Sequence, residues 1–225
     1  MKVIEKCPSC NFISNKTIHI LKIADNYLES GIEQKKNTHY RNFILFENIL
    51  ERSVKSIKVE FKLCGKCGLI FFSPRPDEDD LNLKYNLIKE TKVTLKMEQV
   101  NKLVDFKGLR ARKIYERIVP HLQKKSGRVL DIGGADGHCL EFFTKSYSCE
   151  ILDFETRKLI SGVNKVGETL KDLKINDLYD CILVCHTLEH ISNLVEFILD
   201  IKKHLVEDGI IYIEVPSANA SKKSL

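Results

Sequence analysis

The run Val129-Leu-Asp-Ile-Gly-Gly-Ala-Asp-Gly-His138 constrains this chain more than any other. Its apolar residues fit a strand covered on both faces, and its three glycines let the backbone turn sharply away from the strand's carboxyl end. That arrangement opens an α/β sheet, in which ligands gather at the carboxyl ends of the strands. The sequence beyond keeps the same rhythm. Cys149 to Asp153 and Tyr179 to Cys185 read as buried strands, and Lys165 to Gly167 as a short one. Ile210 to Val215 reads as a last strand, entered through a turn at Asp208-Gly209 and closed by Pro216. Helices are expected over 138–147 and 194–205, with a short one within 155–162. Alternation of this kind predicts a doubly wound, Rossmann-like parallel sheet. The polar tail, 217–225, reads as frayed.

Three acids fall at the ends of three successive strands. Asp131 stands near the end of the first, Asp153 closes the second, 22 residues later, and Glu168 follows the third. A carboxylate at the spacing of Asp153 suits the hydroxyls of a ribose. One at the position of Glu168 can reach the edge of an adenine. Gly133, Gly134, Ala135 and Gly137 let a cofactor approach the backbone, next to the free N–H groups at the start of the following helix. Asp153 alone reads equally well as a solvated loop carboxylate. The three acids together are hard to explain as surface decoration.

The chain has eight cysteines, and four form two C-x-x-C pairs, Cys7/Cys10 and Cys64/Cys67. Two such turns supply four thiolates, the tetrahedral set that a structural zinc ion takes. The pairs are separated by residues 11–63, more than the usual spacing of a zinc ribbon. A single pair would read as a redox motif; two, the second as Cys-Gly-x-Cys-Gly, read as a closed metal site that holds a fold without performing chemistry. Cys139, Cys149, Cys181 and Cys185 lie in apolar or mixed sequence and read as small buried hydrophobes.

These features divide the chain into a zinc-binding module over 1–76, a helical connector over 77–125 and a cofactor-binding core over 126–225. The module should contain a strand leading into Cys64 and another at Leu69–Phe72. The connector opens on four acids, Asp77 to Asp80, is expected to break at Gly108, and ends at Pro120. Charge follows the division. Residues 1–125 carry 25 Lys and Arg against 15 Asp and Glu, a net +10, and the remainder 11 against 16, a net −5. A basic front half can attract an anionic partner, or can simply be a lysine-rich solvated surface. No stretch approaches the ~20 apolar residues of a membrane helix. Met1 to Lys6 reaches a cysteine before an apolar leader can form, so the expected compartment is the cytoplasm.

Val129 to Gly137 resembles motif I of the class I S-adenosylmethionine-dependent methyltransferases. Tyr179 to His190, with its Leu-Glu-His ending, resembles that family's strand-four motif, and Asp208 to Pro216 its fifth strand. Cys64 to Asp77 resembles the zinc-binding leader of methyltransferases from sugar and secondary-metabolite pathways. The resemblance implies that Asp131 and residues 133–137 hold the methionine moiety of S-adenosylmethionine, Asp153 the ribose and Glu168 the adenine. It implies that Cys185 to His190 face the methyl-transfer site. Two departures stand out: Ala135 replaces the middle glycine of the family's loop, and the family fold continues beyond strand five. The sheet is therefore expected to lack the last strands, leaving an edge open to a second copy or a completing subunit.

His186-Thr-Leu-Glu-His190 also matches H-x-x-E-H, a zinc peptidase signature, but that signature needs both histidines on one helix, and His186 directly follows a strand. Similarity to ubiquinone-type O-methyltransferases implies instead that His186, Glu189 and His190 could ligate a divalent ion. Alternatively, either histidine could act as a general base, or Glu189 and His190 could merely order the loop. Three functions stay open. The first is a methyltransferase for a small-molecule acceptor such as a sugar, a lipid precursor or a secondary metabolite. The second is an RNA methyltransferase with a zinc leader, which lacks a clear basic and aromatic platform for nucleic acid. The third is a non-catalytic, zinc-stabilised binding subunit.

Overall fold

The computed structural model describes residues 3–24, 56–75, 79–81, 97–154 and 157–216. The chain divides into two compact units, one formed by Met1–Thr94 with Ser192–Val195, the other by Leu95–Ile191 with Glu196–Leu225. Of the expected connector helix, 79–81 is helical; the rest of 76–96 lies outside the described residues, as does the tail from 217.

The first unit is an antiparallel sheet of three strands, β1 (Asn15–Ala24), β2 (Ser56–Cys64) and β3 (Ile70–Ser73), in that order. The two later strands fall where alternation placed them. β1 is a strand that the sequence analysis did not anticipate: its polar first residues, Asn15-Lys16-Thr17, hide the alternation. Asn15 pairs with Cys64, so the register of β1 on β2 brings the first cysteine turn beside the second. Cys7, Cys64 and Phe71 are buried together, with Ile4, Cys10 and Leu69 packed against them.

The second unit is built on a fully parallel five-stranded sheet. Its strands are β4 (Gly127–Ile132), β5 (Tyr147–Leu152), β6 (Val163–Gly167), β7 (Tyr179–Cys185) and β8 (Leu205–Glu214), ordered β6-β5-β4-β7-β8. The chain moves outward from β4 in one direction, then returns to place β7 on its other side. The crevice between β4 and β7 is thus the topological switch point at which open α/β sheets bind ligands.

Both faces of this sheet are covered, which explains the unbroken apolar runs of β4 and β7. Val129, Cys149, Cys181, Leu183 and Cys185 pack on one face with Ile114 and Ile118 of α1 (Met97–Ile118). Leu130, Ile132, Ile182 and Val184 pack on the other with Ile201 of α2 (Leu194–Lys202). Successive residues change face and every second one shares it, so Asp131 shares the α1 side with Val129.

Four expectations need correction. α1 passes through Gly108 without a break. An interior glycine costs about 1 kcal/mol, and the buried stripe Ala111, Ile114, Ile118 outweighs it. The expected helix over 138–147 is two 3-10 turns, His138–Leu140 and Phe143–Lys145, followed by the start of β5. Thr144 Oγ1 donates to the carbonyl of Glu141 at 2.8 Å, occupying an acceptor that a helix would use. Residues 157–162 form no helix; 155 and 156 lie outside the described residues. Asp208-Gly209 does not precede β8 but lies inside it. A step of two along β7, from Tyr179 to Cys181, faces a step of five along β8, from Leu205 to Ile210, and Asp208 takes a positive φ of 63° in the resulting bulge.

Candidate functional site

The loop after β4 is built to approach something closely. Gly133 has φ 76° and Ala135 φ 50°, both in the left-handed region. A Cβ on Gly133 would stand 2.3 Å from Thr187 Oγ1, so only glycine fits where this loop meets the turn after β7. Thr187 Oγ1 in turn donates to the carbonyl of Ile132 at 2.9 Å, linking the ends of β4 and β7 across the switch point. The left-handed alanine costs roughly 1–2 kcal/mol relative to an extended residue. The Ala135 N–H recovers part of this by donating to Asp153 Oδ2 at 2.8 Å.

The three acids lie at the ends of the three neighbouring strands β4, β5 and β6. Asp131 is 1% exposed, and its Oδ2 is buried with no hydrogen-bond partner among the described residues. Desolvation pushes its pKa well above the usual carboxylate range; nearby Cys139, Asp153 and Asp136 add to this, and Arg110 opposes it. A buried polar atom without a partner is costly, which is the mark of a group that a ligand satisfies. A Cβ on Gly134 would sit 2.9 Å from that same oxygen, so the cradle is open only because residue 134 is glycine. Asp153 is also buried, and its N–H donates to the carbonyl of Gly167 at 3.1 Å, tying β5 to the end of β6. Glu168 is more exposed. Its N–H donates to Asp172 Oδ2 at 2.8 Å and its carboxylate lies 3.8 Å from Lys165 Nζ.

The catalytic candidates sit on the other side of the crevice. His186 directly follows β7 with φ 55°, a strained value for a non-glycine residue. Its Nε2 is 3.1 Å from Glu214 Oε1, and its Nδ1 is 3.5 Å from Glu189 Oε1. Glu189 and His190 belong to a single 3-10 turn, Leu188–His190, and the His190 N–H donates to the carbonyl of Thr187 at 2.9 Å. His186 lies outside that turn, so the helical pairing of histidines that a zinc peptidase requires does not form. The group of metal-ligating side chains that the described residues bring together lies elsewhere.

The sequence analysis missed Lys107, Arg110 and Glu214. Lys107 Nζ pairs with Asp136 Oδ2 of the glycine loop at 2.5 Å. Arg110 Nε and Nη2 approach Glu214 Oε1 at 2.9 and 2.7 Å. A signal was present. Positions 107, 110, 111, 114 and 118 share one helical face, and two cations on an otherwise apolar stripe call for carboxylate partners. Arg110 and a hydrogen bond with Cys185 also hold the Cys139 thiol below its ordinary pKa, the hydrogen bond being the larger influence.

The metal-ligating group is in the first unit. The Sγ atoms of Cys7, Cys10, Cys64 and Cys67 all lie within 4.8 Å of one another, with Cys7–Cys67 at 3.6 Å and Cys10–Cys64 at 3.5 Å. Both turns close in the same way. The N–H of Asn11 donates to the Cys7 carbonyl, as the N–H of Gly68 does to that of Cys64, and both donors have positive φ. Burial drives the Cys7 pKa up to about 12. At Cys64 burial also acts upward, but backbone N–H donors from Cys67 and Lys66 outweigh it and bring the thiol down to about 6. All eight cysteines are free thiols, so no disulfide competes for this set. Four sulfurs converging at such distances fit the tetrahedral coordination of zinc.

Comparison with known proteins places the second unit. A family model described as "Methyltransferase domain" matches residues 105–225. The chain is 34% identical over 62 residues to a ubiquinone biosynthesis O-methyltransferase of Rickettsia canadensis, covering 28% of this chain and 25% of that one. It is 25% identical over 129 residues to the protein of the same name from Rickettsia akari, covering 52% and 51%. The chain thus spans a quarter to about half the length of these curated relatives. Among solved structures it is similar to CalS10, an amino pentose methyltransferase from Micromonospora echinaspora involved in calicheamicin biosynthesis. That match has 14% identity and a TM-score of 0.45 and covers 56% of this chain and 59% of that one. It is also similar to DesVI of Streptomyces venezuelae, with 15% identity and a TM-score of 0.42, covering 55% and 58%. The matched residues contain the whole parallel sheet and the glycine loop, and on them the chain belongs to the methyltransferase-domain family.

Proposed function

We propose that this protein transfers the methyl group of S-adenosylmethionine to a hydroxyl of a small molecule. The observation that carries the reading is the cradle of Gly133 to Gly137, with the buried, unpartnered Asp131 Oδ2 on one side and Asp153 bound to Ala135 N–H on the other. Asp131 and the loop would hold the methionine part of the cofactor, Asp153 the ribose hydroxyls and Glu168 the adenine edge. The cofactor supplies an activated methyl group on a sulfonium.

The protein contributes alignment, with the acceptor brought in line across the crevice from the glycine loop. A hydroxyl is a poor nucleophile, and base assistance at the end of β7 suits it. His186 would take the proton of the acceptor, with Glu189 and His190 shaping the turn beside it. Curated relatives that carry out O-methylation in ubiquinone biosynthesis support an oxygen acceptor. The four cysteines of the first unit would hold a structural zinc ion, whose closed thiolate shell leaves no position for substrate. No described helix is long and apolar enough to cross a membrane. The free thiols suit a reducing compartment, the cytoplasm.

Transfer of label from methyl-tritiated S-adenosylmethionine tests the reading, using a panel of phenols, sugars, amines and RNA. The expected result is label on a hydroxyl-bearing small molecule, abolished by Asp153→Ala. Label on RNA would favour an RNA methyltransferase. A folded protein that binds cofactor yet labels no acceptor would favour a binding subunit.

A further inference from the structure

Glu214 has no role in the reading above, yet its carboxylate joins three separate elements of the second unit. It lies at the end of β8, in register with Cys185 at the end of β7. Its Oε1 accepts a hydrogen bond from Arg110 Nε of α1, lies 2.7 Å from Arg110 Nη2 as an ion pair, and lies 3.1 Å from His186 Nε2. Its Oε2 accepts the hydroxyl of Tyr212 at 3.2 Å. The His186 backbone is held by the same residue, since the His186 N–H donates to the Glu214 carbonyl at 2.8 Å. An acid that follows the apolar run Ile210 to Ile213 and meets an arginine and a histidine is anomalous for packing alone.

We infer that Glu214 is the positioning residue for His186: clamped by Arg110 and Tyr212, it fixes the imidazole so that Nε2 faces Glu214 and Nδ1 is left to take the acceptor's proton. The inference rests on the methyltransferase reading for its purpose and on these contacts for its geometry. A neutral imidazole carries one proton and can give it to only one of its two flanking carboxylates. Glu214, at 3.1 Å, is within hydrogen-bonding distance, and Glu189, at 3.5 Å, is beyond it. The charged and titratable groups around the ring are Glu214 and Tyr212 from β8, Glu189 from the turn after β7, and Arg110 from α1. Arg110 matters because it holds the Glu214 carboxylate in place; without it the carboxylate is free to turn away from the ring. A carboxylate held against one imidazole nitrogen governs which of the two is left to take a proton.

The test reads the ring itself. Full-length protein labelled with ¹⁵N-histidine is compared as wild type, Glu214→Gln and Glu214→Asp, with His186→Asn for assignment, at about pH 9, above the ordinary titration range of histidine. The expected wild-type signature is a protonated Nε2 and an unprotonated Nδ1. Loss of a charge-assisted hydrogen bond should lower that tautomer ratio about tenfold in Glu214→Gln, with partial recovery in Glu214→Asp. The same ¹⁵N signature in wild type and Glu214→Gln, both folded, overturns the inference. Calorimetric titration of each protein with S-adenosylhomocysteine runs in parallel. A ring that responds in a wild-type protein that binds none of it overturns the methyltransferase reading and with it the purpose assigned to Glu214, while a ring that does not respond overturns the positioning role regardless.

Discussion

The backbone N–H of Ala135 donates to Asp153 Oδ2 at 2.8 Å, so the end of β5 holds the glycine loop of β4 in its left-handed shape. Asp153 therefore has two tasks, one within the protein and one toward a ribose. Asp153→Ala should leave a half-buried N–H without its acceptor and lower stability by about 1 kcal/mol. S-adenosylhomocysteine affinity should fall at least about tenfold, the scale of losing a charge-assisted hydrogen bond. Thermal melts and calorimetry on the same preparation separate the two effects. A variant that melts lower but binds as well as wild type would confine Asp153 to the structural task.

The two residues that break the right-handed rule in this loop should behave oppositely. Gly133→Ala forces a Cβ to within 2.3 Å of Thr187 Oγ1 at a φ of 76° and should cost at least about 2 kcal/mol. Ala135→Gly relieves a left-handed alanine at φ 50° and should be neutral to mildly stabilising, within about 1 kcal/mol. Chemical denaturation of the two variants checks both signs; equal losses would mean that the loop is not strained where its dihedral angles place the strain.

How much of this was legible follows from burial. β4 and β7 are covered on both faces, so their residues form apolar runs that end at glycine or a charge, and both strands stand where the sequence placed them. The acids at the strand ends were legible for the same reason, as charges at the rim of apolar runs. Segments decided by local competition were not. Thr144 takes the Glu141 carbonyl and the expected helix becomes two turns, and a bulge at Asp208 hides the true start of β8 at Leu205. Arg110 and Glu214 were missed because their partnership spans 104 residues and depends on α1 lying over the strand ends.

Asp131 carries a pH signature. Its folded-state pKa is raised by burial, so the folded protein holds this proton more tightly than the unfolded chain does. The stability it contributes is full below the ordinary value of 3.8 and is lost as pH rises through the raised folded-state value. Asp131→Asn removes this dependence. The variant's stability relative to wild type should therefore increase as pH rises from about 4 to about 8, the span over which a buried carboxyl titrates. Melting curves across that range decide it; parallel profiles for the two proteins would contradict the assignment.

The four thiols should make folding of the first unit depend on metal. Purified protein should carry about one zinc ion per chain, and Cys10→Ser or Cys64→Ser should remove it, since a structural site tolerates no missing ligand. Elemental analysis gives the stoichiometry, and a strong chelator should abolish any unfolding transition that belongs to this unit. Protein that is metal-free yet retains that transition would show that the cysteines pack without a metal.

The central claim is that the glycine loop and its acids form a cofactor site, and calorimetric titration of the full chain with S-adenosylhomocysteine tests it most directly. The expected result is a single site of micromolar affinity, weakened at least about tenfold by Asp153→Ala. A folded, zinc-loaded protein that takes up no S-adenosylhomocysteine would contradict it.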